Sequence, residues 1–361
     1  MRGVVFIVLL VFFGLVGYAT WHLWRITPGG RVAKAIVAGL FLLWMVAAFS
    51  SMLLRNRVPY PAVVAIYEVG QPWLIAFAYL LIAFVLADIA VICRLLPKAY
   101  LSDNLTGLLS IAGVIGAVML AGGIHYKHKY REELSITTEK PLEQPQIKVV
   151  LASDLHIGYS NRKAELARWV DMINAEHPDL VLFAGDIVDI QTRPLFERNY
   201  AQEFRRLEAP AYAVLGNHEY IAGAEDSEAF LSETGITLLK DSVAHFKGVD
   251  IIGRDDRSNP ERAGLAELVD SLSGFTLLLD HQPSHLEVAQ EAGIDFQFSG
   301  HTHRGQAWPI SWLTDVIFEK SWGYYQKGDT QYYISSGLGI WGPKIRIGTR
   351  SEYLVLVVER R

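Results

Sequence analysis

A single cysteine, Cys93, stands in the 361 residues, so no disulfide can form within the chain. One cysteine neither requires nor excludes an oxidising compartment. Positive charge is also modest. Lys and Arg number 33 against 38 Asp and Glu, a formal net charge of −5, with no dense Lys/Arg stripe. That balance argues against a nucleic-acid partner. No internal repeat marks the C-terminal half. What the chain has in abundance is apolar sequence, concentrated before residue 125.

Four apolar stretches, 4–24, 32–54, 73–92 and 105–124, each reach the roughly 20 residues a helix needs to cross a bilayer. A cleaved signal peptide has a shorter apolar core and is not followed by three similar segments. The expectation is a four-helix transmembrane domain over 1–125, a multi-pass protein of the cell membrane with both termini on one side. Arg2, Arg55, Arg57, Lys127, Lys129 and Arg131 then share one face, and Arg25, Arg31, Lys34, Arg94 and Lys98 the other. The positive-inside rule tilts only slightly towards a cytoplasmic C-terminal half. Trp21, Trp24, Tyr60 and Trp73 fit an interfacial aromatic belt, and Lys34 and His22 snorkel from the span ends. Asp88 is the one acidic residue inside a span. It marks either a proton or ion site or a polar tie between helices.

Residues 126–146 are polar, with Pro141 and Pro145, and read as a linker. Beyond them, apolar runs at 147–152, 180–184 and 211–215 alternate with helical patterns at 164–175 and 195–207, which implies parallel βαβ units. Runs at 249–253, 275–279 and 296–299 continue the pattern. Those at 332–335 and 353–358 suit a second sheet. A two-sheet α/β sandwich over 147–361 accommodates them all.

Five short clusters follow these strands: Asp154-Leu-His156, Gly185-Asp186-Ile-Val-Asp189, Gly216-Asn217-His218-Glu219, Asp280-His281 and Gly300-His301-Thr-His303. They place the chemistry at the strand ends of one sheet, where open α/β sheets bind ligands. Residues two apart on an extended segment point the same way, so Asp154 and His156 face one metal. On the same reasoning His301 and His303 approach as a pair that serves different ions. Asp186 has two carboxylate oxygens with which to bridge two ions; Asn217 brings an amide oxygen and His281 a nitrogen. Oxygen and imidazole ligands without thiolate suit Mn, Fe, Zn or similar divalent ions. Two such ions side by side are a device for attacking phosphate esters. Taken singly, Asn217 also suits a turn and Asp186 a helix cap; the ordered set of five clusters is what points to metal.

The clusters resemble the calcineurin-like metallophosphoesterase superfamily, whose order is D-x-H, G-D-x-x-D, G-N-H-[ED], a lone His and G-H-x-H. The resemblance runs over 147–361. The run from His303 to Gln306 and Gly337-Leu-Gly-Ile-Trp-Gly-Pro343 are similar to the YkuE-like bacterial branch, with Arg304 where that branch has Gly. The resemblance implies one metal on Asp154, His156, Asp186 and His303 and a second on Asp186, Asn217, His281 and His301. It implies a hydroxide shared between them that attacks phosphorus, and His218 as general acid. Asp189 and Glu219 orient ligands or serve the fold alone.

Three weaker features stay open. Arg304 adds a positive group near phosphate or lies on the surface. The segment 254–257 borders the site or forms a charged turn. The aromatic segment 308–325 forms a lip on the bilayer or a packed cap. Tethering to a membrane favours a phosphorylated lipid or lipid-linked diphosphate as substrate. The alternatives are a broad phosphomonoesterase or phosphodiesterase with the spans as anchor only, or a sensor without catalysis.

Overall fold

A computed structural model describes every residue except Met1, Arg55, Asn56 and Ser271. The expectation for Arg55 therefore lies outside the described residues. The chain divides into two compact units, Met1–Ile124 with Gly342–Ile345, and His125–Trp341 with Arg346–Arg361.

The first unit is built on the helices α1 (Arg2–Ile26), α2 (Arg31–Leu54), α3 (Tyr60–Gly70), α4 (Pro72–Ile92) and α5 (Leu105–Lys127). Among the described residues four stretches are long and apolar enough to cross a membrane. The third runs Tyr60–Ile92 through both α3 and α4, longer than the expected 73–92. Pro72, which lacks a backbone N–H, opens α4 and separates it from α3. Gly70 lies so close to the α2 backbone that a Cβ there would meet the Ala47 carbonyl carbon at 2.6 Å. Close helix approach through small residues is how apolar helices gain packing where water supplies no driving force.

Two expectations fail here. Trp73 is fully buried and stacks on Phe77, 4.7 Å between ring centroids, so it belongs to the helix core and not to a surface belt. His22 is also fully buried. Its Nε2 lies 3.0 Å from Asp88 Oδ2, and the Tyr18 hydroxyl donates to the same oxygen at 2.7 Å. Asp88 is thus a polar tie between α4 and α1, and His22 does not snorkel.

Among the described residues the second unit contains twelve strands: β1 (Lys129–Thr138), β2 (Gln146–Ala152), β3 (Leu180–Ala184), β4 (Ala211–Val214), β5 (Thr237–Leu238), β6 (Ser242–Phe246), β7 (Val249–Gly253), β8 (Phe275–Leu279), β9 (Phe296–Ser299), β10 (Gly323–Lys327), β11 (Thr330–Ile334) and β12 (Ser351–Arg360). They form two six-stranded sheets, ordered β1-β12-β2-β3-β4-β5 and β10-β11-β9-β8-β7-β6. The β2-β3-β4-β5 and β7-β8-β9-β11 runs are parallel.

Alternation along the strands builds the layers. Val149 and Leu151 of β2, with Leu180 and Leu182 of β3, enter the core that also holds Leu277 and Phe296. Val150, Val181 and Phe183 point the other way, against Trp169 and Ile173 of the helix Lys163–Ala175. Strands buried on both faces read as continuous apolar runs, as these do.

Three boundaries differ from expectation. The 126–146 linker contains β1, which pairs in parallel with β12 along its whole length. Residues 353–358 are a strand, but they lie between β1 and β2 in the first sheet, not in the second. The helix expected at 195–207 is two short ones, Arg193–Glu197 and Ala201–Phe204.

Candidate metal centre

The sequence clusters all begin within a few residues of a strand end. Asp154 and His156 follow β2, Asp186 follows β3, Asn217 and His218 follow β4, His281 follows β8, and His301 and His303 follow β9. Both sheets contribute, contrary to the expectation of one. The segments are not extended, so the alternation argument for Asp154/His156 and His301/His303 does not hold. Instead Asp154, His156, Asp186, His301 and His303 have φ of 55°, 44°, 51°, 71° and 48°. Residues other than Gly rarely take such values, Asn, Asp and His more readily than the rest, and those that do concentrate where function demands a particular direction. Gly185 (φ 79°) joins this turn, and a Cβ there would meet His281 Nδ1 at 2.8 Å.

The structure brings all seven sequence-derived ligand candidates together in two adjoining groups. In the first, His156 Nε2 lies 3.0 Å from His303 Nε2, 3.6 Å from Asp186 Oδ2 and 3.9 Å from Asp154 Oδ1. His303 Nε2 lies 3.4 Å from Asp154 Oδ1. In the second, His281 Nε2 lies 3.2 Å from Asp186 Oδ2 and 3.2 Å from Asn217 Oδ1, which in turn is 2.8 Å from His301 Nδ1. Four-coordinate sites with ligand bonds of about 2.0–2.2 Å separate their donors by roughly 3.3–3.6 Å. Two imidazole nitrogens aimed at each other and at carboxylates across such gaps fit a cation at their centre. Asp186 belongs to both groups.

Protonation follows burial and charge. Burial, then the charge of His281, pushes His301 down to about 4. Burial, with His156 and Arg346 nearby, holds His303 well below its usual value. Both imidazoles are then neutral, the form that ligates metal. Burial disfavours the Asp186 carboxylate, but His281, His156 and His218 outweigh it and hold the group well below its ordinary value. Burial also disfavours the His218 cation, but a hydrogen bond to Asp189 and the charge of Asp186 outweigh it, raising His218 to about 9.

His218 sits beside the groups, its ring edge-on to His156 at 4.5 Å. Its Nδ1 lies 3.0 Å from the Asp189 carbonyl oxygen, which leaves Nε2 as the ring atom for a substrate. The buried Asp189 carboxylate stands 3.6 Å from Nδ1 of both His156 and His218, positioned to orient the two rings. Glu219 has a defined task. Its carboxylate accepts from the N–H groups of Gly216 (2.7 Å), Asp186 (3.0 Å) and Val188 (2.7 Å), locking two ligand loops together.

Segment 254–257 is not a mere charged turn: Arg254, Asp255 and Asp256 are buried. Arg254 and Arg262 both donate to the Asp280 carboxylate, beside His281. Arg304 lays its guanidinium over the Trp322 ring at 4.2 Å. The aromatic segment splits: Trp322 donates to Glu352, whereas Trp308 and Trp312 are exposed.

Two supporting residues escaped the sequence reading. Asn161 donates its amide to the carbonyls of Leu155, His156 and Ile340. Arg346, fully buried, donates to the His303 carbonyl at 2.8 Å and to those of Ser336 and Gly339. Each holds a ligand loop through backbone oxygens, which no local motif encodes.

Residues 147–305 match the family described as calcineurin-like phosphoesterase. An uncharacterized metallophosphoesterase of Helicobacter pylori J99 is 32% identical over 58% of this chain and 59% of its own. The metallophosphoesterase YkuE of Bacillus subtilis is 28% identical over 68% of this chain and 92% of its own. A transmembrane protein with metallophosphoesterase domain of Danio rerio is 28% identical over 76% of this chain and 65% of its own. The chain thus spans less than two thirds of the Helicobacter and Danio relatives it matches.

Proposed function

We propose that this chain is a membrane-anchored hydrolase with a dinuclear metal centre, a reading supported by the match of residues 147–305 to the calcineurin-like phosphoesterase family. One observation carries the reading: the Asp186 carboxylate belongs to two ligand groups at once. Asp154, His156, Asp186 and His303 would hold one divalent cation, and Asp186, Asn217, His281 and His301 the other. Mn, Fe and Zn all suit these oxygen and nitrogen donors. When bound, such a pair supplies a nucleophile from water near neutral pH and neutralises charge on phosphoryl oxygens.

The chain's own residues do the rest. The Asp189 carboxylate, 3.6 Å from Nδ1 of both the His156 and His218 rings, is positioned to orient them. His218, tied at Nδ1, has Nε2 to hydrogen-bond a phosphoryl oxygen and to pass a proton to the leaving oxygen. Glu219 keeps the Asp186 and Asn217 loops in register.

Asp186→Asn is the direct test. Turnover should fall by about 10²–10³-fold, and metal content measured on the purified protein should drop below that of the parent. A variant that keeps both its metal and its turnover overturns the reading; a pure sensor would keep its ligand response.

For the substrate we favour a phosphate ester or diphosphate carried on a lipid, since the catalytic unit shares its chain with four apolar helices. We place it in the cell membrane, multi-pass, with the catalytic half facing the cytoplasm. Lipid phosphates and soluble nucleotides offered with Mn to the purified full chain separate the two substrate classes, and faster cleavage of the soluble esters removes the lipid reading. Accessibility labelling of the C-terminal tail in intact cells tests the side.

A further inference from the structure

We infer that the helix Ile310–Ile317, which directly follows the His301/His303 loop, is an interfacial anchor that lies in the lipid headgroup region of a bilayer. At roughly 100° per residue Ile310, Trp312, Leu313, Val316 and Ile317 share one arc, and Ser311, Thr314 and Asp315 the other. An ordinary surface helix turns its apolar arc to the core. This one leaves its apolar arc exposed. Ser311 is buried, and the Ser321 hydroxyl donates to Asp315. The five apolar side chains are 43–82% exposed, Val316 the most, with Trp308 at 41% beside them.

The polar side ties the helix to the metal loop. Ser321, which bonds Asp315, accepts at its carbonyl a hydrogen bond of 2.6 Å from the hydroxyl of Thr302, the residue between His301 and His303. The apolar side needs a covering phase, and three observations select lipid. The chain itself carries four helices suited to a bilayer. Only His128 separates the last of them from β1 along the chain. The apolar arc includes Trp312, whose ring meets Trp308 edge-on at 5.3 Å; Trp is the residue enriched at membrane–water interfaces. Short amphipathic segments with Trp and aliphatic residues on one face bury that face at the headgroup–acyl boundary.

The test uses the full chain, with Cys93→Ser as background, in a phosphatidylcholine–phosphatidylglycerol bilayer. An environment-sensitive dye is attached at Val316→Cys and, in a separate protein, at Glu261→Cys, an exposed site elsewhere on the catalytic unit. Both proteins are first checked for the parent's metal content. The Val316→Cys dye should shift its emission to the blue and lose intensity to a doxyl group carried high on the lipid chain, but not to iodide in the water. The Glu261→Cys dye should respond to iodide alone. Adding Trp312→Ser and Ile317→Ser should abolish the blue shift. Iodide quenching at Val316→Cys equal to that at Glu261→Cys overturns the inference. So does protection from both quenchers, which would mean a protein cover such as a second copy of the chain. No turnover enters the readout, so the result stands apart from the proposed hydrolysis.

Discussion

Positive φ at Asp154, His156, Asp186, His301 and His303 costs on the order of 1–3 kcal/mol at each position, held in place by the surrounding bonds. Glycines make room for this turn geometry. A Cβ on Gly300 would collide with Asp154 Oδ2 and with the Ser153 side chain. Gly300→Ala should therefore weaken metal binding by about 10–100-fold, read by titrating the stripped protein with Mn, and undiminished affinity would show that the loop yields. Glu219 is the second sensitive residue. Glu219→Gln places an amide N–H₂ against backbone N–H donors, and the lost bonds should cost about 1–3 kcal/mol in a denaturant titration of the metal-free protein. A midpoint equal to the parent's would deny Glu219 its part in joining the loops.

At the scale of the element, β12 bears more of the fold than its terminal place in the chain suggests. It pairs in parallel with β1 and antiparallel with β2, and its Leu356 is fully buried between the sheets. Leu356→Ala should destabilise the catalytic unit by about 2–5 kcal/mol, seen as a lower thermal midpoint; an unchanged midpoint would mean that the site collapses without penalty. That residues 353–358 form a strand is legible in their continuous apolar run. Their sheet is not, because the partner β2 lies some two hundred positions earlier and pairing leaves no local mark. β1 was hidden for a different reason. Along Lys129–Thr138 half-buried and exposed residues alternate at a sheet edge, and the charged side chains on the open face read as linker. The clusters that converge on the candidate centre were legible because their residue types state their chemistry. The left-handed turns that aim them were not, since a positive φ at Asp or His has no signature in the sequence. Asn161 and Arg346 were invisible for the same reason: they bond carbonyl oxygens, which every residue has.

Over the whole molecule, the two units make separable predictions. Asp88→Ala removes the acceptor that His22 and Tyr18 share. Interhelical polar contacts in membranes contribute about 0.6–2 kcal/mol, so the variant should lose thermal stability in detergent while its metal content stays that of the parent. Loss of metal would instead reveal a dependence of the centre on the helices. The junction at His128 has a consequence of its own. Proteases cut where backbone is loose, and here one residue stands between a long helix and ten paired positions of a sheet. A cut at that junction should therefore require the helix end or the strand to open first.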